Sequence, residues 1–139
     1  MYLLDSDICV RLLRNRPPQL AEKLNADASR LYTSAVVRHE LMHGAMMSMR
    51  PDVQRAAVEA LLSRMAVLDF DSAAADHAAD IKASLQRRGT MIGSNDLLIA
   101  GHARSRSLIV VTGNLREFAR VEGLRCEDWP AGPAGPYLT

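Results

Sequence analysis

The run Leu-Ile-Val-Val-Thr at residues 108–112 constrains the fold more than any other stretch of the chain. It has no charge and no polar alternation, and the turn-forming pair Gly113-Asn114 follows it at once. A short apolar run without a wet face reads as a strand covered on both sides, which is the habit of parallel sheets. Other short strand-like runs, less purely apolar, stand at 1–4, 31–35, 67–70 and 124–126. Between them the apolar residues change to helical spacing. Helices are expected over 6–15, over 17–25 behind Pro17-Pro18, over 36–48, and over 51–65, where Val53, Ala57, Leu61 and Met65 share a face. Asp71 suits the N-cap of a helix to Arg88 with Gly89 at its end, and Ser94 or Asn95 suits the cap of another to Ser105. Residues 115–119 read as a short last helix. Alternating strands and helices define the α/β class, with a central, mostly parallel sheet flanked by helices on both faces.

With 139 residues the chain suits one domain and one core, expected over 1–129, followed by a Pro/Gly-rich, irregular tail over 130–139. The net charge of +1 gives no global field for nucleic acid, so a basic surface must come from local arrangement. Aromatic residues make up 4%, which leaves few platforms for stacking single-stranded bases. Cys9 and Cys126 lie far apart and form neither a disulfide framework nor a zinc knuckle. The start, MYLLDSD, is acidic where a signal peptide is basic, and no stretch approaches the ~18 apolar residues of a membrane helix. The expectation is a cytoplasmic protein with no membrane partner.

In an open parallel sheet, ligands bind outside the carboxyl ends of the strands. Asp5 stands where the first strand ends, and Asn114 lies just past the 108–112 strand. Asp96 is in the first turn of its helix, and Glu40 in the first turns of the helix after the second strand. Asp5, Glu40, Asp96 and Asn114 therefore converge on one edge of one sheet. Carboxylates gathered this way need a cation, and an all-oxygen set favours Mg²⁺ or Mn²⁺ over Zn²⁺. Such ions bind phosphate oxygens and support in-line displacement at phosphorus. Each residue also has a plain reading: Asp5 as a strand end, Asp96 as a helix-dipole partner, Glu40 as a wet helix residue and Asn114 as a turn.

A competing motif overlaps Glu40. His39, Glu40 and His43 spell H-E-x-x-H, which on a helix places two histidines on one face for Zn²⁺ and a glutamate as general base. A zinc peptidase also needs a third protein ligand. Glu59 is the nearest candidate, but it falls on the wet face of its own helix, and nothing brings His77 or His102 to His43. The zinc reading leaves Asp5 and Asp96 without a role. Glu40 is therefore read as functional and the histidines as incidental, His39 partly exposed and His43 packed.

Four blocks, MYLLDSDICV, TSAVVRHELMHGA, IGSNDLLIAGHARS and LIVVTGNLREFARVEGLRCEDW, occur in this order from Met1 to Trp129. Together they resemble the PIN-domain ribonucleases, and more narrowly the VapC-type toxins of bacterial toxin–antitoxin pairs. The resemblance implies a PIN-like three-layer α/β/α nuclease domain. It implies Asp5 and Asp96 as principal Mg²⁺ ligands (Mn²⁺ being possible), with Glu40 binding the metal or orienting its water. Position 114 is the family's fourth site, usually acidic, and Thr112 is the polar residue before it. It further implies an RNA substrate, such as a structured transfer or ribosomal RNA, a cognate antitoxin that blocks the site, and a homodimer within the toxin–antitoxin complex. The chain departs from the family where Asp5-Ser6-Asp7 replaces Asp-Thr-Asn and where Asn114 replaces an acid; Asp7 or Glu117 is a candidate to supply the lost charge. Without that charge, a catalytically degenerate module that binds RNA or antitoxin is the remaining alternative.

Two surface expectations follow. Arg11, Arg14, Arg87, Arg88, Arg104, Arg106 and Arg116 are candidates to meet an RNA backbone. The Met-rich stretch 42–49, and the apolar faces of the helices over 6–15 and 51–65, suit either core packing or an adaptable partner surface.

Overall fold

The computed structural model describes residues 1–15 and 18–129. Five strands, β1 (Tyr2–Leu4), β2 (Leu31–Ser34), β3 (Ala66–Leu68), β4 (Ile109–Val111) and β5 (Cys126–Glu127), form one sheet. Its order is β3-β2-β1-β4-β5, with every neighbouring pair parallel. The helices are α1 (Ser6–Leu13), α2 (Pro18–Ala26), α3 (Ala35–Met46), α4 (Pro51–Leu62), α5 (Ser72–Arg88), α6 (Ser94–Ser105) and α7 (Leu115–Phe118), with a 3₁₀ turn at Ala28–Arg30. The chain moves outward from β1 through β2 to β3, then returns to lay β4 on the other side of β1. Right-handed crossovers put α1–α4 on one face and α5–α7 on the other. The expected three-layer α/β/α arrangement is the one observed, and the sheet is parallel throughout.

Burial explains why these short strands hold. Leu3, Leu4, Val110 and Val111 in the two central strands are wholly buried. Each side chain of this size contributes roughly 1.5–3 kcal/mol by leaving water. On the outer face α5 packs closely on α6, where a Cβ on Gly101 would lie 2.6 Å from the Ala78 backbone nitrogen. Asp71 caps α5 by accepting from the Ala74 N–H at 2.9 Å, and Gly89 ends it at φ 66, both as expected.

Several boundaries shift, for identifiable reasons. Ser34 closes β2 and caps α3 by accepting from the Val36 N–H at 3.1 Å, so α3 starts at Ala35. Helix α1 ends at Leu13, and Asn15 takes φ 52, which no helix continues through. Neither Ser94 nor Asn95 caps α6. Ser94 is its first helical residue, and Gly93 holds the cap position without a side-chain bond. A Cβ at this position would stand in ordinary contact with Asp96 Oδ2, at 3.4 Å. Pro17 and the tail over 130–139 lie outside the described residues.

Candidate active site

The sheet reverses its winding between β1 and β4, and in open α/β sheets the crevice at such a switch point is where ligands bind. Asp5 and Thr112 follow these two strands directly. The Asp5 N–H donates to the Val111 carbonyl at 2.9 Å, which carries the strand pairing one step further. The Asp5 carboxylate then serves both sides of the seam. Its Oδ1 accepts from the Ser6 N–H at 2.8 Å and caps α1, and its Oδ2 accepts from the Thr112 hydroxyl at 2.8 Å. Only 3% of Asp5 is exposed. Burial, then the neighbouring charge of Asp7, pushes its pKa up to about 6 against the pull of the Thr112 and Ser6 donors.

Glu40 reaches this edge from the second turn of α3. Its Oε2 accepts from the Ser6 hydroxyl at 3.3 Å, and its Oε1 is buried with no partner among the described residues. Asp96 arrives from the first turn of α6, half-buried. Asn114 ties it in. Its Nδ2 donates to Glu117 Oε2 at 2.6 Å and to Asp96 Oδ2 at 3.3 Å, while its N–H donates to Thr112 Oγ1 at 3.0 Å. Asp96 and Glu117 titrate as a pair. Desolvation and the hydrogen bond to Glu117 push Asp96 up to about 7, and the same bond pulls Glu117 down. All five candidates, Asp5, Glu40, Asp96, Thr112 and Asn114, thus meet in one hydrogen-bonded set, which Ser6 and Glu117 complete.

Asp7 braces the same loop from the other side. Its Oδ2 accepts from the Gly113 N–H at 2.8 Å, and burial raises its pKa. Glycine at 113 lets the Arg11 guanidinium and the Asp7 carboxylate approach the loop closely, since a Cβ there would make both side chains shift. Of the two acids proposed to supply charge near Asn114, Glu117 is therefore the one in contact with it. Ser6 gave little warning in the sequence, since a serine after a strand-end aspartate reads only as a conservative variant.

The H-E-x-x-H motif does not assemble. His39 and His43 are both exposed, which corrects the expectation that His43 is packed. Glu59 is exposed and engaged with Arg38 at 2.6 Å. Among the described residues, no three His, Cys, Asp or Glu side chains are drawn into a ready metal cage. The acids at the β1–β4 seam are joined through hydroxyl and amide groups instead. A hard divalent ion that keeps most of its waters needs only one or two carboxylates. The all-oxygen set and the unpartnered Glu40 Oε1 fit such an ion; among the described residues the geometry offers no site of nitrogen and sulfur donors for zinc.

The arginine candidates divide. Arg11 pairs with Asp128 at 2.9 Å, Arg104 with Asp80 at 2.7 Å, and Arg88 donates to the Arg120 carbonyl. Arg14, Arg87, Arg106 and Arg116 are exposed without an ion-pair partner among the described residues. A cavity of about 410 Å³ opens between α1, α3 and α4, lined by Val10, Leu13, Leu41, Val58, Gly44 and Arg14 with Glu40 in its wall. Farther along α3 and just past it, Met46, Met47 and Met49 are 60%, 74% and 100% exposed.

An all-parallel sheet with buried carboxylates at its switch point is the arrangement of PIN domains, and the chain belongs to the PIN domain family, whose model matches residues 2–124. It is 45% identical over 128 residues to the tRNA(fMet)-specific endonuclease VapC of Salmonella typhimurium, covering 92% of this chain and 97% of that one. It is 41% identical to ribonuclease VapC2 of Haemophilus influenzae over the same shares. The fold superposes on DNA-bound VapBC from Salmonella typhimurium with a TM-score of 0.89, 45% identity and coverage of 92% and 97%. It also superposes on Rickettsia felis VapBC2 bound to a DNA fragment from its promoter, with a TM-score of 0.88, 31% identity and coverage of 92% and 98%.

Proposed function

We propose that this chain is a divalent-metal-dependent endoribonuclease of the VapC kind, the toxin of a toxin–antitoxin pair. The observation that carries the reading is the convergence of Asp5, Glu40 and Asp96, with Thr112 and Asn114, at the switch point of a PIN-family sheet. The substrate is RNA, and a structured transfer RNA is the first to try, because the named activity of the Salmonella relative is on tRNA(fMet). The ion is Mg²⁺, with Mn²⁺ able to replace it, and the protein works in the cytoplasm. Among the described residues no helix is long and apolar enough to cross a membrane.

Asp5 and Asp96 would hold the cation, with Glu40 binding it or orienting its water. When bound, it offsets the charge that develops on the phosphoryl oxygens and acidifies a water. The protein's own part is to fix the acids. Thr112 and the Ser6 N–H aim the two oxygens of Asp5, Ser6 holds one oxygen of Glu40, and Asn114 aligns Asp96. Thr112 and Asn114 position water or phosphate by hydrogen bonds. Hydrolysis leaves 5′-phosphate and 3′-hydroxyl ends. The cognate antitoxin lies in the groove between α1, α3 and α4, where occupancy covers Glu40, and the exposed methionines extend that contact.

The test is cleavage of end-labelled transfer and ribosomal RNA by antitoxin-free protein with Mg²⁺, comparing wild type, Asp5→Asn and His43→Gln. Wild type and His43→Gln cut, Asp5→Asn does not, and the products carry 5′-phosphates. Wild type that binds RNA without cutting any of it supports the degenerate module instead.

A further inference from the structure

His102 is a wholly buried histidine on α6, two turns beyond Asp96, and it takes no part in the chemistry above. Its Nδ1 lies 2.7 Å from the hydroxyl of Ser34, also wholly buried. That hydroxyl already accepts from the Val36 N–H as the cap of α3. A hydroxyl has one hydrogen, and the arrangement directs it at His102 Nδ1, leaving the imidazole proton on Nε2. The opposite tautomer strands the serine hydrogen as well as an imidazole nitrogen. Even so, Nε2 is buried and makes no well-formed hydrogen bond among the described residues, with only the Asp69 backbone close enough to favour its proton. The ring stands edge-on to Phe70 at 5.4 Å, just before the α5 cap Asp71. An apolar side chain would fill this space with no imidazole nitrogen to satisfy, but it would strand the buried Ser34 hydroxyl hydrogen. The histidine is therefore not explained by packing.

What it joins does explain it. Ser34 is the first fixed point of α3, the helix of Glu40, and His102 belongs to the helix of Asp96. These helices come from opposite faces of the sheet and meet at its carboxyl edge. We propose that His102 is a positioning residue: by gripping the Ser34 cap it locks the start of α3 to α6 and sets the spacing of Glu40 from Asp96. This rests on the acidic-site reading given above.

The experiment compares wild type, His102→Leu, His102→Asn, Ser34→Ala and the double variant His102→Leu/Ser34→Ala. Asparagine keeps an acceptor near the position of Nδ1; leucine keeps the volume alone. Initiator transfer RNA with Mg²⁺ gives kcat and KM, thermal melting reports the fold, and calorimetry with Mn²⁺ alone reports cation affinity. His102→Leu loses about tenfold or more in kcat with KM within about twofold, and weakens Mn²⁺ binding, while melting no lower than His102→Asn. His102→Asn recovers most of both losses, and the double variant is no worse than the worse single one. The proposal is overturned if His102→Leu keeps wild-type kcat and Mn²⁺ affinity, if asparagine rescues nothing, or if the two losses multiply. If wild type cuts no RNA, the nuclease reading fails. The Mn²⁺ comparison then still decides the joint: weaker binding in leucine than in asparagine upholds it, and equal binding sinks it.

Discussion

Thr112 donates its hydroxyl hydrogen to Asp5 Oδ2 at 2.8 Å across the β1–β4 seam, and both residues are buried. The same hydroxyl oxygen accepts from the Asn114 N–H at 3.0 Å, so one threonine orients the Asp5 carboxylate and shapes the following loop. Thr112→Val keeps the shape and removes both bonds. It is expected to lower kcat/KM about ten- to a hundredfold, the usual loss when a group that orients a metal ligand is removed. Thr112→Ser retains most activity. Steady-state cleavage of a labelled RNA measures both, and equal loss in the two variants contradicts the hydrogen-bond account.

Acidity is predicted to act in opposite senses on the fold and on the cation. Asp5 is pushed up to about 6 and Asp96 to about 7, both from 3.8. A folded-state pKa above the unfolded one means that the folded chain holds the proton more tightly. For these two groups the stabilisation is complete below the unfolded value of 3.8 and is lost as pH rises through about 6 to 7. In metal-free protein, melting between about pH 8 and pH 5 should therefore depend less on pH in Asp5→Asn than in wild type. Cation binding must displace those protons, so Mn²⁺ affinity should fall about tenfold per pH unit for each proton released. Melting curves and calorimetry across that range check the two signs separately.

Glycine 101 sets the distance between α5 and α6. Gly101→Ala places a methyl group 2.6 Å from the Ala78 backbone and forces the helices apart, at a cost of about 1–3 kcal/mol. Because α6 carries Asp96, cation affinity should weaken along with the melting midpoint. Denaturant unfolding gives the first quantity and calorimetry the second.

Gly44 offers the reverse experiment. It lies inside α3 in the wall of the groove, and a Cβ there meets nothing within 4 Å. Gly44→Leu should not lower stability, because leucine is the better helix former by roughly 0.8 kcal/mol. It does project bulk into the groove, and antitoxin affinity should fall tenfold or more, about 1.4 kcal/mol. Surface binding of the purified antitoxin measures this; undiminished affinity places the antitoxin elsewhere.

Much of this site could be read before any coordinates. Asp5, Glu40, Asp96 and Asn114 sit at strand ends and helix starts, and alternation alone sends such positions to one edge of a parallel sheet. The α6 cap was misplaced because serine and asparagine are strong local cap signals, whereas Gly93 holds the cap position with no side-chain bond to announce it. The packed position expected for His43 failed because its neighbours Gly44 and Met47 leave that side of α3 open. The Ser6–Glu40 and Ser34–His102 bonds were invisible for another reason. They span 34 and 68 residues, and no local periodicity encodes such pairs.

The separation of 107 positions from Asp5 to Thr112 also imposes an order of events on folding. During synthesis β1 and Asp5 emerge well before β4, the later of the two strands that pair with β1. At about 5–20 residues per second, roughly 5–20 seconds separate the two. Until that strand slides in beside β1 the aspartate has no threonine to aim it and no neighbouring loop to close the acidic ring. A nascent or truncated chain that lacks β4 is therefore expected not to cleave RNA, and activity is expected only at the last stage of folding.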